Sequence, residues 1–445
     1  MSSVHTADEL ALHLDGESPG SIARGIAALV RGDVLQPGDR LPTVRSLATS
    51  LGVGRSSVAD AWGILARHGF IETARRNGTI VRERHVTGRG RYWSVPATPG
   101  ALQIDLSTGT PDVELLPPLG PALRRVSGDI GVSSYVDPPV LPELDVELRS
   151  RWPSPPESLT IVDGALDALD RLVTALVGFG DVVVVEDPTF PPLLDMLELA
   201  GAEIVGVGVD DRGPVVVDVA AALTRNPVAC FFQPFAQNPT GASFDADRVE
   251  ALAAVIGKAV ARPWIIEDDH TAGVFDGEAP SLAALLPDRS VTIVSFSKTH
   301  GPDLRVAAMA GPSEVIEAIT ERRRLGPIWT SRLVQELLRG MLTDPATNEL
   351  VQRARCEYRR RRATLTEQLD ADSLHPVPGD GLNLWLPVPD EQRTTWALAV
   401  DQIGVAPGRP FAVGEPSGGF LRVSLGNARG DLDQIARSIS YAASR

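Results

Sequence analysis

VTIVSFS, residues 291–297, is a short apolar run that ends on a lysine, Lys298. Comparable runs precede it: VVVVED (182–187), EIVGVGV (203–209), VACFFQP (228–234) and WIIEDD (264–269), with amphipathic helical stretches between them. Fully apolar strands that alternate with helices predict an α/β fold, with a parallel or mixed sheet covered on both faces. Further on, LNLWLPV (382–388) and FLRVSL (420–425) predict a smaller α+β domain.

The lysine is informative because lysine is rare. Of 42 basic Lys and Arg residues only Lys258 and Lys298 are lysine. Arginine serves wherever a surface cation will do, so a surviving lysine is a candidate for chemistry arginine cannot perform, above all a Schiff base. Lys258 lies in the helical stretch VEALAAVIGKAVAR and reads as a solvated side chain. Lys298 sits where a buried strand becomes a loop, and ligands of open α/β sheets gather beyond the carboxyl ends of strands.

Other strand ends carry matching groups. Asp268 closes WIIEDD, with Asp269 as the competing carboxylate. Asn238 opens NPTG after VACFFQP, Phe190 follows VVVVED, and Ser295 and Arg305 flank Lys298. Gly164, Ala165 and Leu166 open a helix whose N-terminal amides can approach a phosphate. Pyridoxal 5'-phosphate (PLP) asks a protein for such a set. Lys298 would bind the aldehyde and Asp268 would hold the pyridine nitrogen. Asn238 would donate to the phenolic oxygen and Phe190 would stack on the ring. Ser295, Arg305 and the helix start would hold the phosphate. Arg422 interrupts the apolar FLRVSL, and a buried arginine needs a partner. A substrate or effector carboxylate would fit it, and an internal salt bridge would also serve.

The N-terminal part reads differently. Net charge is −15, yet Gly20 to Tyr92 holds twelve arginines against five carboxylates, about +7. A basic module on an acidic body is the asymmetry of a nucleic-acid reader joined to a small-molecule domain. Residues 21–31 have helical apolar spacing, a second helix follows Pro42 with Thr43 as its N-cap, and Gly52-Val53-Gly54 turns into a third helix from Arg55 to about His68. FIETA and TIVRE, joined by Arg75-Arg76-Asn77-Gly78, read as a hairpin. Helix, turn, helix and a basic wing predict a winged helix-turn-helix, with the third helix in the major groove of double-stranded operator DNA.

The stretch PGDRLPTVRSLATSLGVGRSSVADAWGILARHGFIETARRNGTIV (37–81) resembles the GntR-type winged-helix domain nearly end to end. That resemblance implies that Arg45 grips phosphate, that Arg55, Ser56 and Ser57 meet the groove, and that Arg76 and Gly78 are wing contacts. From about residue 104 onward the motifs resemble fold-type-I PLP enzymes of the aminotransferase class I/II group, with large and small domains. The whole chain thus resembles the MocR/GabR family of regulators. The resemblance further implies a homodimer arranged head to tail, in which Tyr135 reaches the phosphate of the partner subunit. Three positions depart from the family pattern. Gly54 stands where a Ser is common, Val140 where a Gly is common, and His270 where aminotransferases place a Tyr, so any bond to the PLP oxygen there would come from imidazole. Phe190-Pro191-Pro192 offers no Arg for a second acidic group of an effector.

The expected organisation is a tail (1–18), the reader (19–85), a linker (86–103) and the PLP domain (104–445), whose small subdomain begins near residue 350. The N-terminal stretch shows no signal peptide, and no window is apolar for long enough to span a bilayer. Cys230 and Cys356 suggest neither a metal site nor a disulfide framework and suit the reducing cytoplasm. Two functions stay open. One is a transcription regulator that senses a small amino compound through bound PLP. The other is a working aminotransferase or PLP lyase that carries a DNA-binding module.

Overall fold

Thr6 and Glu9 bond each other's backbone N–H in a reciprocal capping box that starts a short helix, α1 (Ala7–Ala11). The computed structural model describes residues 6–14, 17–32, 34–67, 70–74, 78–82, 90–91, 102–126, 134–152, 155–274, 280–415 and 418–444. They fall into two units. The first comprises the described residues of Met1–Arg89 with Gly178–Asp181 and Leu197–Glu203; the second comprises those of Gly90–Val177, Val182–Met196 and Ile204–Arg445.

In the first unit, α1 lies within the stretch read as a tail and buries Leu10. Ser18 then caps α2 (Pro19–Arg31) by accepting the Ser21 N–H at 3.1 Å, and Ile22 and Ile26 of this helix are fully buried. A two-residue strand, β1 (Arg40–Leu41), leads to α3 (Val44–Leu51). Thr43 caps α3 through the Ser46 N–H at 3.1 Å, and Gly52 ends it at φ +70°, a conformation that glycine adopts without strain. The third helix, α4 (Arg55–Arg67), buries Val58, Ala61, Trp62 and Leu65. Strands β2 (Ile71–Ala74) and β3 (Gly78–Val81) pair antiparallel, and β1 joins the far side of β3. Ile22, Ile26, Leu47, Trp62, Leu65, Ile71 and Val81 share one core. Helix, turn, helix and sheet therefore stand where the sequence placed them. Arg76, expected as a wing contact, lies outside the described residues.

From Ile104 onward the chain forms β4 (Ile104–Asp105), α5 (Leu119–Val126), α6 (Pro142–Arg151), β5 (Ser158–Val162), α7 (Ala165–Leu176), β6 (Val182–Asp187) and α8 (Pro191–Ala200). It continues with β7 (Glu203–Asp210), β8 (Gly213–Pro214), α9 (Val216–Leu223), β9 (Ala229–Phe232), α10 (Ala246–Ile256), β10 (Trp264–Asp269), α11 (Leu282–Leu285) and β11 (Ser290–Ser295). Then come β12 (Ala307–Gly311), α12 (Ser313–Arg324), α13 (Arg332–Leu342) and the long α14 (Pro345–Ala371). The chain closes with β13 (Asn383–Val388), α15 (Glu391–Val400), β14 (Ile403–Gly404), β15 (Ala406–Pro407), β16 (Gly419–Ser424) and α16 (Leu432–Ala443).

The large sheet has the order β5-β12-β11-β10-β9-β6-β7-β8. Strands β6, β9, β10 and β11 run parallel, and β12 is antiparallel to both of its neighbours. Register matters for the site. Glu267 pairs with Thr292 and Asp269 with Val294, whereas Asp268 pairs with Ile293. Side chains alternate along a strand, so Asp268 and Asp269 leave the sheet on opposite faces.

The smaller layer is β13-β16-β15, with α14 and α16 packed on it through Leu365, Leu369, Ile435 and Ile439. Strand β4 also belongs here, because Ile104 pairs in parallel with Ile403. A buried ion pair ties this layer to the start of the unit. Arg361 on α14 donates to Asp112 at 2.7 Å and to the carbonyls of Leu425 and Gly426 at 3.1 and 2.9 Å. Arg429 donates to the other Asp112 oxygen, and the Asp112 N–H meets the Tyr358 hydroxyl at 2.8 Å. Burial alone would raise the Asp112 pKa; the bonds from Arg361, the Glu114 N–H and Arg429 outweigh it and hold the carboxyl below its usual range.

Candidate cofactor and effector site

Strand β11 delivers Ser295, buried, and then Ser297 and Lys298; the two serine hydroxyls lie 2.9 Å apart. The Lys298 ammonium donates to the Gly109 carbonyl. Burial, and then the positive charges of Arg422 and Arg305, push Lys298 down to about 8. An amine so placed reaches its neutral, nucleophilic form far more readily than a surface lysine.

Arg305 adopts φ +48° and donates from Nη2 to the Asp163 carbonyl at 3.2 Å. Gly164 follows Asp163 at φ +100°, and a Cβ there would stand 2.5 Å from Arg305 Nη2. Any side chain would drive the guanidinium away. Gly164 is the N-cap of α7 and gives it no side-chain bond. The first amides of the helix, Ala165 and Leu166 among them, thus have no intrahelical acceptor, as at any helix start. Guanidinium, amides and serine hydroxyls make an anion cradle.

The two carboxylates that the sequence left in competition have different work. Asp269 Oδ1 accepts from the Thr271 N–H and hydroxyl at 2.9 and 2.6 Å and from the Ala272 N–H at 3.0 Å, closing a turn. Asp268 is buried; Oδ2 accepts from Gln233 at 2.8 Å, while Oδ1 is buried with no hydrogen-bond partner. Burial pushes Asp268 up to about 6. From Gln233 the network runs on to Asn238, whose N–H donates to Gln233 Oε1 at 2.9 Å. Asn238 Oδ1 in turn accepts from Arg422 at 3.3 Å.

Arg422 lies opposite Trp385 in the small sheet and is almost fully buried. It donates to the Ser107 carbonyl and lies 5.1 Å over the Phe411 ring. A Cβ on Gly109 would stand 3.8 Å from Arg422 and 3.9 Å from Lys298, so the two cations flank this glycine. His270 is half-buried beside them. Burial and the charges of Lys298 and Arg422 push it down to about 3, so the imidazole is neutral, and its Nδ1 is buried with no partner. Phe190 is half-buried in the loop after β6, next to Thr189, whose N–H bonds the Phe411 carbonyl at 2.9 Å. Tyr135 is 83% exposed and tilts against Trp329 at 6.1 Å.

The sequence reading missed several members of this network. Glu186 is fully buried on β6, accepts from the Gln233 N–H and from Gln237, and is pushed up to about 8 by burial. The signal was present as a carboxylate inside VVVVED and glutamines beside an apolar strand. Gly109 and Ser107 act through carbonyl oxygens, which leave no mark in side-chain patterns.

The residues fit PLP on several independent grounds. Asp268 offers a carboxylate oxygen with no other use, Arg305 and the α7 start form an anion cradle that a Cβ at Gly164 would fill, and Lys298 is an amine of lowered pKa. In the other unit, Arg45, Arg55 and Ser56 are exposed, Ser57 is half-buried at the start of α4, and Gly78 is exposed at φ +74°. Among the described residues no group of three or more His, Cys, Asp or Glu is placed to hold a metal, and no helix is long and apolar enough to cross a membrane.

Residues 101–439 match the aminotransferase class I and II family, and residues 20–81 match the gntR family of bacterial regulatory proteins. The chain belongs to the MocR-type regulators. A relative of this family, the vitamin B6 salvage pathway transcriptional repressor PtsJ of Salmonella typhimurium, is 34% identical over 97% of this chain and 100% of its own length. The pyridoxine biosynthesis transcriptional regulator PdxR of Corynebacterium glutamicum is 29% identical over 81% of each chain. Among solved structures, the α-aminoadipate aminotransferase LysN of Thermus thermophilus shares the fold. Its TM-score is 0.70 at 22% identity, covering 78% of this chain and 92% of that one. A class I and II aminotransferase fold implies PLP binding, and a gntR-type head makes this MocR-type chain a DNA-binding transcription regulator.

Proposed function

We propose that this regulator holds PLP through Lys298 and changes its grip on operator DNA when a small amino compound enters the site. The observation that carries the reading is the placement of Arg422, joined to Asn238 and flanking Gly109 opposite Lys298. When bound, PLP supplies an aldehyde carbon for which an arriving amine competes with Lys298. Asp268 would keep the pyridine nitrogen protonated, Asn238 would orient the ring, and Arg305, Ser295, Gly164, Ala165 and Leu166 would hold the phosphate. Phe190 and His270 would border the ring. Arg422 would take the carboxylate of the compound in a bidentate fork. The exposed Tyr135 supports a homodimer, head to tail, in which it completes the partner subunit's phosphate site. The cytoplasm is the compartment that suits such a DNA reader.

The names of two relatives favour a second reading. Both speak of vitamin B6 supply. Occupancy by PLP would then itself be the signal. Fluorescence anisotropy on the DNA upstream of the chain's own gene separates the two, using cofactor-free protein, protein with PLP, and protein with PLP and a panel of amino acids. A shift on adding PLP alone supports the second reading. A shift only on adding an amine, lost in Arg422→Ala, supports the first.

The reader makes its own prediction. Arg55→Ala is expected to cost about 1–3 kcal/mol on the operator and to relax sequence preference, whereas Arg45→Ala should weaken all sequences alike and lower the salt slope by about 1. Equal losses on operator and random DNA for both variants would remove α4 from the groove.

A further inference from the structure

The face of the large sheet opposite Asp268 holds a second chamber. It is a cavity of about 460 Å³, bordered by β10, β11, α6 and the start of α14. Its lining includes Asp269 and Val294, which share that face, and therefore lies apart from the Lys298 network.

His300 and Asp269 on its wall have acceptor capacity to spare. His300 is buried, and its Nδ1 lies 2.8 Å from the Thr299 hydroxyl, which is itself 3.4 Å from the Phe296 carbonyl. With the hydroxyl proton on that carbonyl, Nδ1–H is the donor and Nε2 carries a bare lone pair. Nε2 is buried with no hydrogen-bond partner. Burial, and then the charge of Arg151, push the ring down to about 4, so it stays a neutral acceptor. Asp269 spends Oδ1 on its turn, and among the described residues no cation pairs with its carboxylate. The remaining wall is largely apolar and aromatic, with Trp152 and Phe296 facing the same space. Arg151 and Arg355 also line it; Arg151 is neutralised by Glu147 at 2.6 Å, and Arg355 donates from Nη1 to Gln352 at 3.3 Å. A carboxylate oxygen and a lone pair that both seek donors, beside aromatic faces, are complementary to an organic cation.

We propose that this chamber is a second ligand site, separate from the PLP site, and that it takes a small ammonium compound with an apolar or aromatic body. The ammonium would pair with Asp269 and donate to His300, and the body would lie against Trp152 and Phe296.

The test uses full-length, PLP-loaded protein and N,N-dimethylbenzylammonium. Its tertiary nitrogen cannot condense with an aldehyde, so binding at the PLP carbon is excluded by chemistry. Calorimetry is expected to show saturable binding of one probe per chain at about millimolar concentration, the range for a ligand of this size. The visible absorbance should not change. Asp269→Asn should weaken the probe at least tenfold. Because Asp269 also closes a turn, a second variant guards against misfolding: Ala284→Trp, at an exposed position of the lining, should abolish binding with an unchanged unfolding temperature. Lys298→Ala should bind the probe like the parent. Absence of saturable binding, or binding untouched by both Asp269→Asn and Ala284→Trp, overturns the proposal. So does loss of binding in Lys298→Ala, which would move the probe to the PLP site. Preference for benzoate over the ammonium, which the arginines of the wall would favour, overturns the assigned charge.

Discussion

Protein carrying Lys298→Ala is expected to lose the entire visible absorbance band that the parent shows when loaded with PLP, while Lys258→Ala keeps it. The reason lies in what surrounds each amine. Lys298 is packed beside Arg422 and Arg305, and its pKa falls to about 8, which favours covalent attachment to an aldehyde. Lys258 is exposed beyond the end of α10, where an ammonium keeps full hydration. Absorbance spectra of the three proteins, dialysed against PLP and then against buffer, decide the matter. Loss of the band in Lys258→Ala with retention in Lys298→Ala would reverse the assignment. The Lys298→Ala protein should still bind operator DNA, since the reader has its own core.

Arg361→Ala is expected to be the costliest single change outside the PLP site. It would strand Asp112, which is almost fully buried, with the half-exposed Arg429 as its remaining cation. Removing one partner of a buried pair typically costs about 3–5 kcal/mol, because the remaining charge is left under-compensated away from water; Arg429 should keep the cost toward the lower end. Four carbonyl and carboxylate acceptors, of Asp112, Glu357, Leu425 and Gly426, lose their donor at the same stroke. The pH dependence follows from the sign of the shift. The Asp112 pKa is lowered in the folded protein, so its stabilisation is fully present above the ordinary carboxylate range and is lost as pH falls through the depressed value. In Arg361→Ala the depression largely goes, and the acid unfolding midpoint should move to higher pH. Denaturant titrations at pH 7 and an acid titration followed by far-ultraviolet circular dichroism check both points. An unchanged midpoint in both would show that the pair carries no net stability.

Much of this was legible because burial on both faces of a sheet leaves continuous apolar runs. VVVVED, WIIEDD and FLRVSL each stand out, and the polar residues that interrupt or end them fall at the site. Scarcity made Lys298 conspicuous. Other features were hidden for physical reasons. Strand β12 is Ala-Ala-Met-Ala-Gly, whose small side chains carry little β signal. Helix α1 has five residues, and its capping box sits in a polar stretch that reads as tail. The choice between Asp268 and Asp269 depends on which face each side chain leaves, and register is set by neighbouring strands far away in sequence. The exposure of Arg45 and Arg55 was legible, because the apolar positions of their helices are taken by Leu47, Val58 and Trp62.

The pairing of β4 with β14 has a consequence for biosynthesis. Ile104 leaves the ribosome about 300 residues before Ile403, so the small layer cannot close until that distant partner has been made. Leu106 waits longer still, since its core companions include Ile439 and Ala443. During that interval Ile104 and Leu106 must remain without their partners. Any ribosome that stops short of α16 releases a chain whose small layer can never be completed, so late truncation should disable the body while leaving the reader, with its own core, intact.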